Sequence, residues 1–363
     1  MTILSTPYKT IVEYIWIGGN YEIRSKTMVL SKNINTISDL PDWNYDGSST
    51  NQANSEQNTE IIIKPKMLCI DPIKTNTIEN ANCLLVLCDT YLSDGETPHN
   101  TNSRYIAEQI FNKNLDELPW FGLEQEYFFN NANNKNVCLC ADVGEYYCGI
   151  QNDKIEQKIV NAHLAACIEC GLKISGINAE VAKSQWEYQI GPCTGIESGD
   201  HMIISRYLLE KIASNYDVWI SYAPKLYDDV NGSGCHVNFS TLKMRETNGI
   251  SHIYSAIKKL ENKHFEHMEM YGDGNEERMT GVNETACYDK FTYGIGTRNT
   301  SVRIGNQTYK DSCGYFEDRR PGANINPYLV TSKIFKTCCV DDACDNITGN
   351  GIKLDFIPDL SVE

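Results

Sequence analysis

The stretch GLEQEYFF at residues 122–129 interleaves two glutamates with apolar and aromatic positions at a spacing of two. Read as a strand, whose side chains alternate between faces, it puts Glu124 and Glu126 on one side with Phe128, and Leu123, Gln125 and Tyr127 on the other. The alternation recurs further on. In NAEVAKSQWEYQIG, Gln185, Glu187 and Gln189 alternate with Trp186, Tyr188 and Ile190, and Glu180 precedes them by one short turn. In GCHVNFS, His236, Asn238 and Ser240 oppose Cys235, Val237 and Phe239; in GYFEDRRPGAN, Tyr315, Glu317 and Arg319 share a face. Residues 1–97 predict four ordinary strands, IVEYIWIGG, EIRSKTMVL, EIIIKPKMLCI and ANCLLVLCDTY, separated by Gly, Asn, Asp and Pro clusters. Pro98 and HNTNSR mark a boundary, after which Thr101 is the expected N-cap of a helix SRYIAEQIF. Helical patterns DKIEQKIVNAHLAACIEC and SHIYSAIKKLENKHFEHM then alternate with the polar-faced strands, and NNANNKN at 130–136 predicts a solvated loop. The fold class that follows is α+β, with a small β-rich domain over 1–97 and a larger mixed domain over 98–363.

The 363 residues, 41% hydrophobic and 22% charged, have the composition of a soluble globular protein with room for a sizeable core. Their 48 Asp and Glu against 32 Lys and Arg leave a net charge of −16. That balance argues against nucleic acid or an anionic membrane as partner and favours cations and small molecules. The first residues lack the basic start and unbroken apolar run of a signal peptide, and CLLVLC at 83–88 is too short to span a bilayer. A cytoplasmic protein is expected. Fifteen cysteines at scattered spacings read as small apolar residues of a reducing compartment rather than as a disulfide framework. Cys167 and Cys170 form a CxxC on a helical pattern with no second pair at zinc-finger spacing, so structural zinc is not expected.

Two unit charges ~4 Å apart repel by roughly 4 kcal/mol at an effective dielectric of about 20, a large part of a domain's stability of about 5–15 kcal/mol. The paired glutamates therefore need positive charge between them, unless they lie on an edge strand and are simply solvated. Glu124, Glu126, Glu180, Glu187, Glu317 and His236 make five carboxylates and one imidazole, each on or beside a strand with an apolar opposite face. An open sheet with a solvated polar face explains each strand singly but not all of them together. If they converge, this oxygen-rich set suits Mg²⁺ or Mn²⁺ rather than zinc, and six ligands suit two or three ions. Arg278, Arg298, Arg303 and Arg319 stand in Gly-, Thr- and Asn-rich surroundings, and their planar donors suit phosphate and carboxylate oxygens. Metals with several arginines point to phosphoryl transfer. NGSGCH lacks the P-loop lysine and GIG at 294–296 lacks a third glycine, so a nucleotide would be held by metals, arginines and sheet.

In order along nearly the whole chain, YIWIGG, RSKT, WNYDGSST, WFGLEQEY, YYCG, QWEYQIGPC, NGSGCHVNFST, MTGVNET and GYFEDRRPGAN resemble glutamine synthetase of the eukaryotic type. The resemblance implies an N-terminal β-grasp domain, and a catalytic domain with a curved antiparallel sheet flanked by helices. It further implies a homo-oligomer, a decamer of two pentameric rings, with active sites between neighbouring subunits. The implied reaction joins ammonium to the γ-carboxylate of L-glutamate through γ-glutamyl phosphate, at the expense of ATP. One metal falls on Glu126, Glu180 and Glu187 and another on Glu124, His236 and Glu317, clamping the ATP phosphates. Arg298 and Arg303 match residues contacting glutamate and nucleotide phosphates, Arg319 the one facing the transferred phosphoryl group, and Arg278 one near the substrate carboxylate. Trp120, Asn238, Ser240 and Tyr315 match positions around ATP. Asp46 matches an aspartate that a neighbouring subunit lends to the ammonium pocket, with Ser49 and Tyr147 nearby, and Glu284 matches the glutamate of a closing flap.

Departures from the family pattern fall on the rim. Asn283 stands for the usual His, Thr297 for Asn, and Gly305-Asn306 for Pro-Arg; YDDV at 227–230 lacks the usual Trp, and residues 130–145 are shorter. An altered rim leaves open a ligase of the same fold that joins glutamate to a larger amine. A non-catalytic descendant is opposed by the intact metal ligands with Asp46, Glu284 and Arg319, and an unrelated two-metal hydrolase by the arginines and WNYDGSS.

Overall fold

β-Branched and aromatic runs bounded by turn residues build the first sheet from β1 (Lys9–Ile17), β2 (Ile23–Leu30), β3 (Trp43–Asp46), β4 (Glu60–Ile70) and β5 (Ala81–Tyr91). The computed structural model describes residues 9–54, 56, 58–131, 145–150, 153–228, 230–282 and 284–341. The strand order is β2-β1-β5-β4-β3, antiparallel except for the central parallel pair of β1 and β5, the layout of a β-grasp. β4 and β5 coincide with the runs predicted for them. β3 was not anticipated: WNYD is half polar and too short to show a period, and it pairs only at the sheet edge. Val12, Tyr14, Trp16, Ile63 and Val86 pack one face, with Trp16 stacked on Tyr45 of β3.

The second sheet is formed by β6 (Trp120–Asn131), β7 (Ile174–Ala179), β8 (Gln185–Thr194), β9 (Val218–Ser221), β10 (Cys235–Ser240), β11 (Tyr293–Ile295), β12 (Val302–Ile304) and β13 (Phe316–Asp318). It is a curved sheet of order β11-β12-β13-β10-β6-β8-β7, with β9 also on β6. As expected its strands pair antiparallel, and the short edge pair β11 and β12 alone runs parallel among the described pairs. Helices Ser103–Phe111, Lys154–Glu169, Glu197–Ser214 and Pro327–Phe335 flank it. Phe121, Leu123, Tyr127, Tyr188, Val237 and Phe239 share one core with Met202, Leu208, Val330 and Ile334 of those helices. Because strand side chains alternate, burying these residues leaves their polar neighbours on the opposite face.

Local differences have local causes. The first helix is capped by Asn102, which accepts from the Tyr105 N–H, rather than by Thr101, whose hydroxyl accepts from Gln52 Nε2. The SHIYSAIKKLENKHFEHM pattern breaks into two helices, Ile250–Asn262 and His264–Met268. Asn130 continues β6 opposite Trp219 instead of opening a loop, and residues 132–136 lie outside the described residues. Gln125, a polar residue on the apolar face, is fully buried and accepts from Arg206 Nε at 2.9 Å. Among the described residues no helix is long and apolar enough to cross a membrane.

Candidate metal centre and active site

β6 is a central strand between β10 and β8, which removes the edge-strand explanation of its glutamates. His236 sits directly opposite Glu124, and Glu187 directly opposite Glu126, so the two acids of GLEQEYFF face different neighbours. On the β10 side, His236 Nδ1 lies 3.4 Å from Glu124 Oε2 and 3.4 Å from Glu317 Oε1 of β13. One ligand atom from each of these three residues lies within 4.8 Å of the others. Burial holds the His236 imidazole well below its usual pKa, so the ring is neutral and keeps a lone pair for a cation. Two carboxylates and one neutral imidazole fit a hard divalent ion. Asn238 Nδ2 donates to Glu124 Oε1 at 2.7 Å, Arg319 Nη1 to Glu317 Oε1 at 2.8 Å, and Arg303 Nε to Glu317 Oε2.

On the β8 side, Glu126, Glu180 and Glu187 gather less tightly and are tied down by amides. Gln185 Nε2 and the Gly234 N–H donate to Glu126 Oε2 at 3.2 and 2.9 Å. Asn178 Nδ2 donates to Glu180 Oε1 at 2.9 Å, and Gln189 Nε2 donates to Asn178 Oδ1 at 2.8 Å and to Glu187 Oε1. Burial first, and repulsion between neighbouring carboxylates second, push Glu126 up to about 8 and Glu187 up to about 9. Burial likewise raises Glu180 to about 7. A carboxyl whose folded pKa is raised favours the metal-free fold at low pH, and that contribution disappears as pH climbs through about 7–9. Divalent cations need the ionised forms, so their binding expels protons. Mn²⁺ affinity is expected to rise at least about tenfold between roughly pH 6.5 and 8.5. Calorimetry at neutral pH in buffers of different ionisation enthalpy checks this; identical heats in every buffer would refute it.

A cleft beside these sets is lined by Glu126, Glu180, His236, Arg278, Glu284 and Arg319, among others. Arg278 is buried, donates from Nη2 to the Arg320 carbonyl at 2.6 Å, and is lowered by burial to about 10, which leaves it cationic at neutral pH. Glu284 adopts φ +65°, and its carboxylate accepts from Arg298 Nη1 at 2.8 Å. Its carbonyl accepts from Arg319 Nη2 at 3.2 Å. The Arg298 guanidinium also has Tyr147 as a hydrogen-bond neighbour. At the far end of β6 the half-exposed Trp120 lies under the Arg245 guanidinium at 4.0 Å, while Arg245 Nη1 donates to Ser240 Oγ at 3.0 Å. Tyr315 is half-exposed.

Not every expected residue joins them. Asp46 and Ser49 belong to the first sheet and its following turn, and neither lines the cleft. Ser48 donates to Asp46 Oδ1 from Oγ at 2.7 Å and from N at 3.0 Å, holding that carboxyl below its usual range. Thr297 lies in the loop between β11 and β12, Gly305 and Asn306 are the N-cap and first residue of the helix Asn306–Asp311, none of the three is among the cleft-lining residues, and Asn283 lies outside the described residues. The residues missed in the sequence include Asn178, Asn231 and Arg245. Asn178 shares the two-residue spacing with Glu180 and could have been found by it; Arg245, in a four-residue helix after β10, carries no periodic signal.

The family model described as "Glutamine synthetase, catalytic domain" matches residues 101–260. A protein of Acanthamoeba polyphaga mimivirus, provisionally named a glutamine synthetase, is 49% identical over 92% of this chain and 95% of its own length. The glutamine synthetase of Emericella nidulans is 46% identical over 91% of this chain and 92% of its own length. That of Saccharomyces cerevisiae is 44% identical over 93% and 91%. The chain belongs to the glutamine synthetase family. This glutamine synthetase fold thus carries its two acidic clusters on neighbouring strand pairs of one sheet, with Arg303 and Arg319 placed on the carboxylate they share with His236.

Proposed function

We propose that the protein ligates ammonium to the γ-carboxylate of L-glutamate, using ATP and passing through γ-glutamyl phosphate. The observation that carries this reading is the Glu124, His236 and Glu317 cluster with Arg303 and Arg319 beside it, next to a cleft that His236 shares with Glu126 and Glu180. Divalent ions, Mg²⁺ or Mn²⁺, held by these two sets would neutralise phosphate charge and orient the γ-phosphoryl group. Arg319 and Arg303 add fixed positive charge where the transferred group gains negative charge, and Arg278 and Arg298 serve the substrate carboxylates and phosphates. Trp120, Asn238, Ser240 and Tyr315 form the nucleotide side. Glu284, tethered to Arg298 and Arg319, covers the cleft and keeps water from the acyl phosphate. Asp46, with Ser49 and Tyr147 near it, acts from a neighbouring subunit of a cytoplasmic homo-oligomer, consistent with its distance from the cleft of its own chain. Kept ionised by Ser48, it attracts the ammonium cation and accepts its proton as the amine attacks. The functional division follows the sheets, residues 1–97 lending Asp46 and Ser49 and 98–363 carrying the remaining groups.

The deciding assay follows glutamine and ADP from ATP, Mg²⁺ and glutamate, with and without ammonium. ADP release stimulated by an organic amine but not by ammonium would replace this reading with a ligase for a larger amine. Asp46→Asn is expected to slow amide formation at least about a hundred-fold. The same variant should leave the first phosphoryl transfer within about threefold, as read by single-turnover ADP formation. Equal loss of both steps would exclude the proton-acceptor role.

A further inference from the structure

Two thiols outside the cleft meet where the first sheet packs on the helix layer. Cys69, near the end of β4, is half-buried, and Cys170, the C-cap of the helix Lys154–Glu169, is almost fully buried. Their Sγ atoms lie 2.8 Å apart although 101 residues separate them in sequence. Bonded sulfurs stand about 2.05 Å apart, so the approach from contact to bond is under about 1 Å. The other half of the CxxC takes different partners: Cys167 Sγ lies 3.2 Å from His163 Nε2 and 3.6 Å from Ser205 Oγ.

We propose that Cys69 and Cys170 form a reversible disulfide on exposure to a small disulfide oxidant such as glutathione disulfide. The more accessible Cys69 thiolate attacks one oxidant sulfur, giving a mixed disulfide and releasing one small thiolate. Cys170 then gives up its proton and displaces the second small thiolate, closing the protein disulfide. Two protein thiols lose two protons and two electrons, and one oxidant disulfide becomes two thiols. The neighbouring Cys69 sulfur, with burial, holds the Cys170 thiol protonated in the reduced protein, so Cys170 does not make the first attack, and its closeness to Cys69 Sγ serves the second step. The bond ties β4 to the turn leading into β7, the strand that carries Asn178 towards Glu180. At the other end of the same helix, Glu156 accepts from Trp186 Nε1 at 2.9 Å, next to Glu187. The cross-link therefore braces the helix behind the β8-side acids.

The test treats the reduced full-length protein with glutathione disulfide, quenches free thiols and maps digests by mass spectrometry under non-reducing conditions. The expected result is a peptide joining Cys69 to Cys170, formed ahead of any other pairing and reversed by dithiothreitol. With Cys170→Ser, a stable glutathione adduct should collect on Cys69; with Cys69→Ser, Cys170 should stay unmodified. Adducts on Cys69 that never close in the unmodified chain, no reaction at either thiol, or a dominant pairing elsewhere would each overturn the proposal.

Discussion

Replacing Glu317 with alanine is expected to lower glutamine formation by at least about a hundred-fold while the protein stays folded. Glu317 is almost fully buried and touches three cationic or ligating groups at once: His236, Arg303 and Arg319. Its removal takes a third of the close ligand set and leaves Arg303 and Arg319 without this counter-charge. Losing one preorganised group that stabilises charge in a transition state costs about 2.7–4 kcal/mol, equivalent to roughly two to three powers of ten in rate. Two measurements check this: single-turnover ADP formation, and Mn²⁺ binding by calorimetry, with circular dichroism as the folding control. Activity within tenfold of the parent, with Mn²⁺ binding unchanged, would show that the cluster is not the metal centre.

The opposite face of the same strand holds the second large effect. Arg320 and Asp318 are both fully buried and paired, with Arg320 Nε donating to Asp318 Oδ1 at 2.8 Å and Nη2 to Oδ2 at 2.7 Å. Tyr271 Oη donates to Asp318 Oδ2 at 2.7 Å, and His264 Nδ1 lies 3.0 Å from Arg320 Nη1. Arg320→Met should destabilise the fold by about 3–5 kcal/mol, because Asp318 is left buried with its charge unanswered. That corresponds to a Tm lower by about 5–10 °C. Adding Asp318→Asn should recover more than half of the loss, since the amide carries no charge and can still accept from Tyr271. A double variant no more stable than the single would mean that packing of the arginine stem, not charge, dominates there. Activity should fall with the single substitution as well, since Glu317 and Arg319 flank this pair in the chain.

Much of the site could be read before any coordinates because its strands are short, regular and one-sided. In Gln185, Glu187 and Gln189, or in His236 and Asn238, polar side chains recur at the period of a strand against aromatic neighbours, and a polar face that regular is hard to explain by solubility alone. Where the period was absent, the reading faltered. β3 has four residues and no alternation to detect, although it carries Asp46. The cap at Asn102 rather than Thr101 turned on a hydroxyl already taken by Gln52, a residue 49 positions away.

The sequence by itself determined the alternation of the strands, the identity of both acidic sets and the family, since side-chain period and local motifs depend on neighbours along the chain. Only the tertiary structure decided which acids face each other: Glu124 across from His236, Glu126 across from Glu187, and Glu317 beneath two arginines. It also joined Cys69 to Cys170 and left Asp46 on the other sheet. Strand order and register arise from burying apolar faces contributed by distant segments, and a period of two says which face a residue takes without naming the strand that will lie beside it.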